Sequence, residues 1–228
     1  MVGGQSPLSS YKDAVFSNFA TIKNSQQLID ALTKPDNSRF YTLEYDADEM
    51  DSYEFVIDIS ADSARANFAR FNTIFKGSLM GKPDGNGNNP TIRFRTGYNL
   101  DDKYYGVHAL LRELNSAYIS NIDFVIEIND NRDVAKAYGS AEGDFGLLAT
   151  KVYMSTFENC TFEVRSVNNK DIVIELAYDE REQGLHNVDK FGLLFGAVYG
   201  TSFGADGSQV YYTLQSNVDV KVGNAISK

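Results

Sequence analysis

The 228-residue sequence predicts an all-β protein, a right-handed parallel β-helix (solenoid) with an N-terminal capping helix, and three observations predict it. Three segments begin alike: "YGVHALLRELNSAYISNIDFVIEI" at Tyr105, "FGLLATKVYMSTFENCTFEV" at Phe145 and "FGLLFGAVYGTSFGADGSQVYYTL" at Phe191. Their glycines, Gly106, Gly146 and Gly192, stand 40 and 46 residues apart, a spacing that signals stacked repeat units. Each unit is written in short alternating runs, as in "KDIVIELAY", where Ile172, Ile174 and Leu176 fall at period two. A short strand with one apolar face cannot hide that face alone, so equivalent strands must stack and share a core. An antiparallel β-sandwich of evenly spaced strands is the competing architecture.

The chain reads as a single continuous domain in three stretches. Residues 1–20 form a flexible N-terminal segment or a remnant of expression, 21–100 an N-terminal cap with the first strands, and 101–228 the repeat units. In "KNSQQLIDALTKP", Asn24 or Ser25 can cap a helix whose Leu28, Ile29 and Leu32 share one face before Pro35 ends it. This helix, Ser25 to Thr33, is the candidate cap for one end of the stack. "RFYTLEYD" and "YEFVIDIS" alternate as half-buried strands do. Between them, four acids (Asp46, Asp48, Glu49 and Asp51) within residues 46–52 suit a loose calcium loop or, more commonly, a solvated turn.

"SARANFARFNTIFKGSL" mixes helical spacing at Ala64, Phe68 and Phe71 with a strand-like "TIFKGSL". Pro83, Asp84, Gly85, Asn86 and Gly87 then make a tight reversal before a strand over 91–95. That turn precedes a strand and lacks the Lys-Ser/Thr ending of a phosphate-binding loop, so the structural reading prevails. Within the repeats, the first unit carries two extra residues: Ile119 follows Gly106 by 13, whereas Phe157 and Phe203 follow Gly146 and Gly192 by 11. Aligned this way, Cys160 occupies the place of Ile122 in the first unit and of Asp206 in the third. Glycine after the aromatic permits a tight corner or a close backbone approach that a β-carbon would obstruct. Gly106, Gly146, Gly192 and the packed Cys160 are therefore read as structural.

The Phe/Tyr-Gly-Leu-Leu opening, the small and aromatic step, and the endings "STFENCTFEV" and "AYISNIDFVIEI" resemble the GLUG-type repeats of bacterial cell-surface and secreted proteins. The stretch "FKGSLMGKPDGNGNNPTIRF" is similar to the segment that precedes such repeats, and the resemblance covers about residues 20–222. The third unit departs from it with "GADGS" in place of the Asn-Cys step, and the first with Val-His in place of Leu-Leu. The resemblance implies an extracellular β-helical module, often part of a long adhesin-like or protease-associated chain. It implies no reaction.

Charge and composition narrow the function further. With 21 Lys plus Arg against 31 Asp plus Glu, the net charge of -10 argues against a nucleic-acid partner, which requires a basic surface. No run of 18 apolar residues is present, so no transmembrane segment is predicted. The N-terminus "MVGGQSPLSSYKD" lacks the basic and apolar regions of an export signal, and the C-terminal "VDVKVGNAISK" alternates as a strand without a cap. Both ends suggest a piece of a longer chain. The single cysteine, Cys160, excludes an internal disulfide and a cysteine-based metal cluster, and no metal or cofactor motif occurs.

Polysaccharide-cleaving β-helices use clustered carboxylates with Arg or Lys. The nearest candidates here are Asp123, Glu127, Asp130, Arg132 and Asp133, with Glu158, Glu163 and Arg165 one unit later. Stacking would set Asp123 beside Thr161 and Glu127 beside Arg165, an arrangement that suits a ladder pair as well as a catalyst. His108 and His186 are the only histidines, and each stands alone in sequence. Among 14 tyrosines, Tyr118, Tyr153, Tyr199 and Tyr211 are the candidate binding residues, because an exposed tyrosine offers a flat apolar face with a polar tip.

The function the sequence favours is therefore a noncatalytic, exported module for surface attachment, display or recognition of a host or matrix protein or a glycan. The alternative is a carbohydrate-active enzyme, either a polysaccharide lyase or a glycoside hydrolase. An intracellular structural scaffold is a third reading.

Overall fold

The structure is a computed structural model that describes residues 19–33, 39–48, 50–60, 74–97, 107–129, 134–137, 144–167, 170–176, 190–204, 210–214 and 218–222. Gly106, His186, Asp130, Arg132, Asp133, Asp206 and the mixed segment 61–73 lie outside them. The described fold is predominantly β with one helix, as the sequence predicts.

The N-terminal part comprises β1 (Phe19–Ile22), α1 (Ser25–Thr33), β2 (Phe40–Leu43), β3 (Glu54–Asp58), β4 (Ile74–Phe75), β5 (Ser78–Gly81) and β6 (Thr91–Thr96). The first repeat unit supplies β7 (Leu111–Asn115), β8 (Tyr118–Ile128) and β9 (Val134–Ala137). The second supplies β10 (Asp144–Phe145), β11 (Ala149–Tyr153), β12 (Thr156–Ser166) and β13 (Ile172–Leu176). The third supplies β14 (Lys190–Phe191), β15 (Phe195–Tyr199), β16 (Ser202–Phe203), β17 (Val210–Leu214) and β18 (Val218–Val222). The "TIFKGSL" run thus gives the strand β4, a bend at residues 76–77 and then β5.

Every strand pairing among the described residues is parallel, and in the repeats successive units pair strand on equivalent strand. One ladder runs β4-β7-β11-β15, another β9-β13-β18, and a short one joins β10 to β14. The largest sheet runs β1-β2-β5-β8-β12-β16; alongside it β17 pairs with β12, β6 with β8, and β3 with β6. No antiparallel pair, the signature of the sandwich alternative, occurs among the described residues.

The register follows the repeat alignment. Phe157 pairs with Ile119 on one side and Phe203 on the other, so the two extra residues of the first unit fall before the strand rather than within it. Cys160 pairs with Ile122, as the alignment predicts, but its third-unit partner is Val210, not Asp206. The third unit places more residues between Phe203 and Val210 than the second places between Phe157 and Cys160, a shift that equal spacing could not anticipate.

Two columns of left-handed residues bend the chain between strands. Ser116, Met154 and Gly200 have φ of 53°, 42° and 57°, and they follow the register partners Asn115, Tyr153 and Tyr199. Asn121 and Asn159, with φ of 54° and 47°, bend β8 and β12 in mid-course. Asparagine tolerates this region because its short amide can bond locally. Here the amides also bond each other: Asn159 Nδ2 donates to Asn121 Oδ1 at 2.8 Å.

Inward residues alternate along each strand and stack on their equivalents, which suits the spacing of neighbouring strands of about 4.8 Å. Phe124 stacks on Phe162 with centroids 5.3 Å apart, and Phe157 on Phe203 at 5.2 Å. Gly146 and Gly192 serve close backbone approach: a β-carbon on Gly146 would lie 2.5 Å from the Gly196 nitrogen, and one on Gly192 1.9 Å from the Phe195 carbonyl oxygen.

At the N-terminal end, Asn24 rather than Ser25 caps α1, its Oδ1 accepting from the Gln27 N–H at 2.9 Å. Ser25 instead accepts from the Val56 N–H at 2.8 Å and ties the first helical turn to β3. Leu28, Ala31 and Leu32 are buried, and Ile29 packs half-buried against the same core. Leu32 helps to line an apolar cavity of about 20 Å³ together with Phe75, Leu114 and Phe157, so the helix covers core that the strands alone would leave open.

Candidate functional site

The alternation of β3, β6, β8 and β12 points one set of side chains outward, and on this face charges stack in register. Asp58, Arg95, Glu127 and Arg165 occupy one row across the four strands. Arg95 Nε donates to Glu127 Oε2 at 2.6 Å, and Arg165 donates to Glu127 Oε1 through Nη2 at 2.7 Å and Nε at 3.1 Å. Arg93 also pairs with Glu127 and reaches the other way to Glu54, with Nε donating at 2.8 Å. Arg165 Nη1 completes the cluster with Glu163 at 3.2 Å.

Glu127 is only 5% exposed beneath these guanidiniums. Burial alone would raise its carboxyl, but the hydrogen bonds from Arg95 and Arg165 and the charge of Arg93 outweigh burial and hold it below the usual carboxylate range. A general acid needs the opposite shift. Asp123 accepts from Thr161 Oγ1 at 2.7 Å, as its predicted neighbour allows, and Glu158 accepts from the Tyr118 hydroxyl at 2.6 Å. The cluster therefore works as a ladder of ion pairs. The pairing of Glu127 with Arg165 is legible from repeat alignment, whereas Arg93 and Arg95 come from "TIRFRT", ahead of the first unit, and carry no repeat signature.

Three of the four candidate tyrosines flank one bend, the column of Ser116, Met154 and Gly200. Tyr153 precedes Met154, Tyr199 precedes Gly200, and Tyr118 lies two residues beyond Ser116. Tyr153 and Tyr199 stack with centroids 4.9 Å apart and an interplanar angle of 11°. Tyr199 is 47% exposed and Met154 67% exposed, so the bend presents an amphipathic surface. Tyr118 is half-buried with its hydroxyl bound to Glu158, an interaction that raises its pKa. Tyr211 sits elsewhere, opposite Thr161 in β17.

The remaining candidates are structural in setting. Cys160 is fully buried with Sγ 3.3 Å from the Glu158 carbonyl oxygen, and burial pushes its thiol up to about 12. His108 is partly buried, and desolvation pushes its imidazole down to about 4. Its backbone is clamped by Thr96, whose Oγ1 accepts from the His108 N–H at 2.8 Å and donates to the His108 carbonyl at 3.0 Å.

In the predicted reversal, Asp84 Oδ1 accepts from the N–H groups of Asn86 and Asn88, both at 2.8 Å. The Asn88 side chain adds a bond at 3.0 Å, and together these hold the Asp84 carboxyl below its usual value. Asp46 of the acidic turn pairs with Lys23 at 2.8 Å. Among the described residues, no three His, Cys, Asp or Glu side chains gather as a metal site, and no helix is long and apolar enough to cross a membrane. Glu49 lies outside the described residues.

A carboxylate that the sequence did not single out, Asp144, is fully buried between Lys151 and Lys190, at 3.3 and 3.2 Å. Lys190 is its register partner on the next strand, so this ion pair also bridges two units.

No protein-family model, curated protein or solved structure matches the chain.

Proposed function

We propose that the chain is a right-handed parallel β-solenoid, closed at one end by α1, and that it acts as a noncatalytic exported module for attachment or recognition. The observation that carries the binding half is the stacked Tyr153–Tyr199 pair beside exposed Met154, an apolar and hydroxyl-bearing surface on an outward bend. Such a surface suits a sugar ring or a protein side chain. The noncatalytic half is supported by Glu127, whose carboxylate is engaged by three arginines rather than poised to exchange a proton. Export to a bacterial surface, as part of a longer chain, rests on the resemblance of the Phe-Gly-Leu-Leu units to GLUG repeats.

The test is a binding panel of polysaccharides and extracellular-matrix proteins, run with the unaltered protein and with Tyr153→Ser and Tyr199→Ser. The expected result is saturable binding to at least one ligand that both substitutions weaken about tenfold, the loss of roughly one stacking contact. New reducing or unsaturated ends after incubation with the polysaccharides would overturn the noncatalytic reading. Binding indifferent to both substitutions would remove the tyrosine surface from it.

A further inference from the structure

Asp144 stands immediately before the Phe-Gly-Leu-Leu corner of the second unit, and its carboxyl is completely enclosed. Two lysines reach it, one at each oxygen. Lys151 Nζ lies 3.3 Å from Oδ2, and Lys190 Nζ lies 3.2 Å from Oδ1. Their approaches differ. Lys151 comes from β11 of the same unit, across the corner, and its side chain is 17% exposed. Lys190 is the register partner of Asp144 on β14, and its side chain is 58% exposed. The corner itself, residues 145–150, is buried throughout, so Asp144 and Lys151 meet where water is largely excluded.

We propose that Asp144 and Lys151 condense into an isopeptide bond once the chain has folded, with Lys190 assisting the step. Two charges held away from water are costly to keep, and the amide carries neither into the interior. The Lys151 ammonium passes one proton to Oδ2, and the freed nitrogen lone pair attacks Cγ. The carbonyl electrons move onto Oδ1, where the Lys190 ammonium stabilises the negative charge. Collapse restores the carbonyl at Oδ1 and expels Oδ2, which leaves as water with a second proton from the nitrogen. An ammonium and a carboxylate thus give one amide and one water, and no oxidant, reductant or activated donor is needed. Contact in a fixed geometry raises the effective concentration of the two groups to about 10⁵ M or more. Exclusion of water around Asp144 opposes hydrolysis of the product. Lys151 is the nucleophile because an amine must shed its proton and its hydration to attack, and it is the less exposed of the two lysines. The bond staples β10 to β11 across the corner. It uses no residue of the tyrosine surface, so the two readings stand or fall separately.

The test is the intact mass of the unaltered 228-residue protein, purified without denaturation, followed by peptide mapping. The expected result is a chain lighter than its sequence by one water. Trypsin should then release residues 137–165 as a single peptide, uncut after Lys151 and carrying the whole deficit. Lys151→Arg keeps a positive charge beside Asp144 and should restore the full mass. Lys190→Gln removes the assisting ammonium, and linkage followed in time after synthesis should slow by about a hundredfold. Full mass in the unaltered protein would overturn the proposal, and this reading needs no variant. Water lost from another peptide, as a succinimide at Asp84-Gly85 would give, would overturn it too, as would a bond from Asp144 to Lys190 in place of Lys151. Linkage at the unaltered rate in Lys190→Gln would overturn the role given to Lys190.

Discussion

Arg165 meets Glu127 through two nitrogens, Nη2 at 2.7 Å and Nε at 3.1 Å, across a register pair that joins two repeat units. The same carboxylate is held from the other side by Arg93 and Arg95. One buried acid thus ties together β6, β8 and β12. Removing its charge would leave three guanidiniums crowded with too few partners, so Glu127→Gln should destabilise the protein by about 2–4 kcal/mol. Arg165→Ala should cost less, because Glu127 keeps two of its arginines. Denaturant titration of the two variants checks the order, and an equal loss in both would contradict it.

Acid should weaken the fold in two stages. Desolvation lowers His108 from 6.5 to about 4 in the folded chain. Above pH 6.5 the imidazole is neutral in both states, and its contribution is fully present. As pH falls from 6.5 towards 4, the unfolded chain takes up a proton that the folded chain refuses, so stability drops and then levels off. Glu127, Asp84 and Asp46 are lowered carboxylates, so their contribution is lost only at lower pH, as they protonate. His108→Leu should flatten the first stage and leave the second. Melting temperature measured from pH 7 to pH 3 separates them.

Cys160 should behave as a core methyl rather than a thiol. Its pKa of about 12 and its complete burial leave almost no accessible thiolate at neutral pH. Alkylating or disulfide reagents should label it only in denaturant. Cys160→Ser places a hydroxyl between Ile122 and Val210 in the ladder and should cost about 1–3 kcal/mol, more than Cys160→Val would. Rapid labelling of the native protein would refute this account.

Two glycines separate close approach from mere turn content. Gly192→Ala forces a β-carbon to within 1.9 Å of the Phe195 carbonyl oxygen, whereas Gly85→Ala meets nothing within 4 Å. The first substitution should cost more than about 2 kcal/mol and the second less than about 0.5 kcal/mol. Calorimetry of the pair gives the comparison, and similar losses would mean that Gly192 is not sterically required.

Much of this was legible in the sequence because stacking copies local information from one unit to the next. Aligning Phe157 with Ile119, once the two extra residues of the first unit are allowed for, is enough to find that Cys160 faces Ile122, Thr161 faces Asp123 and Arg165 faces Glu127. Helix α1 was readable for a different reason: its cap, its apolar face and its proline stop all lie within a dozen residues. What escaped were relationships with no repeat to announce them. Arg93 and Arg95 reach Glu127 from a strand that precedes the first unit. Val210 replaces Asp206 opposite Cys160 because the third unit is longer at one bend, and spacing alone does not say where extra residues are accommodated. The left-handed pair Asn121 and Asn159 was in view as an asparagine repeated at the same place in two units, but its φ is a property of the bend rather than of the alternating pattern.

That bend has a use in protein engineering. The second unit passes from Phe157 to Cys160 with two residues between them, the third passes from Phe203 to Val210 with six, and β12 keeps its pairing on both sides of the difference. The chain therefore already contains one splice at which added length leaves the neighbouring register intact. A foreign peptide grafted between Phe203 and Val210 would be held at both ends by a ladder that does not sense its length.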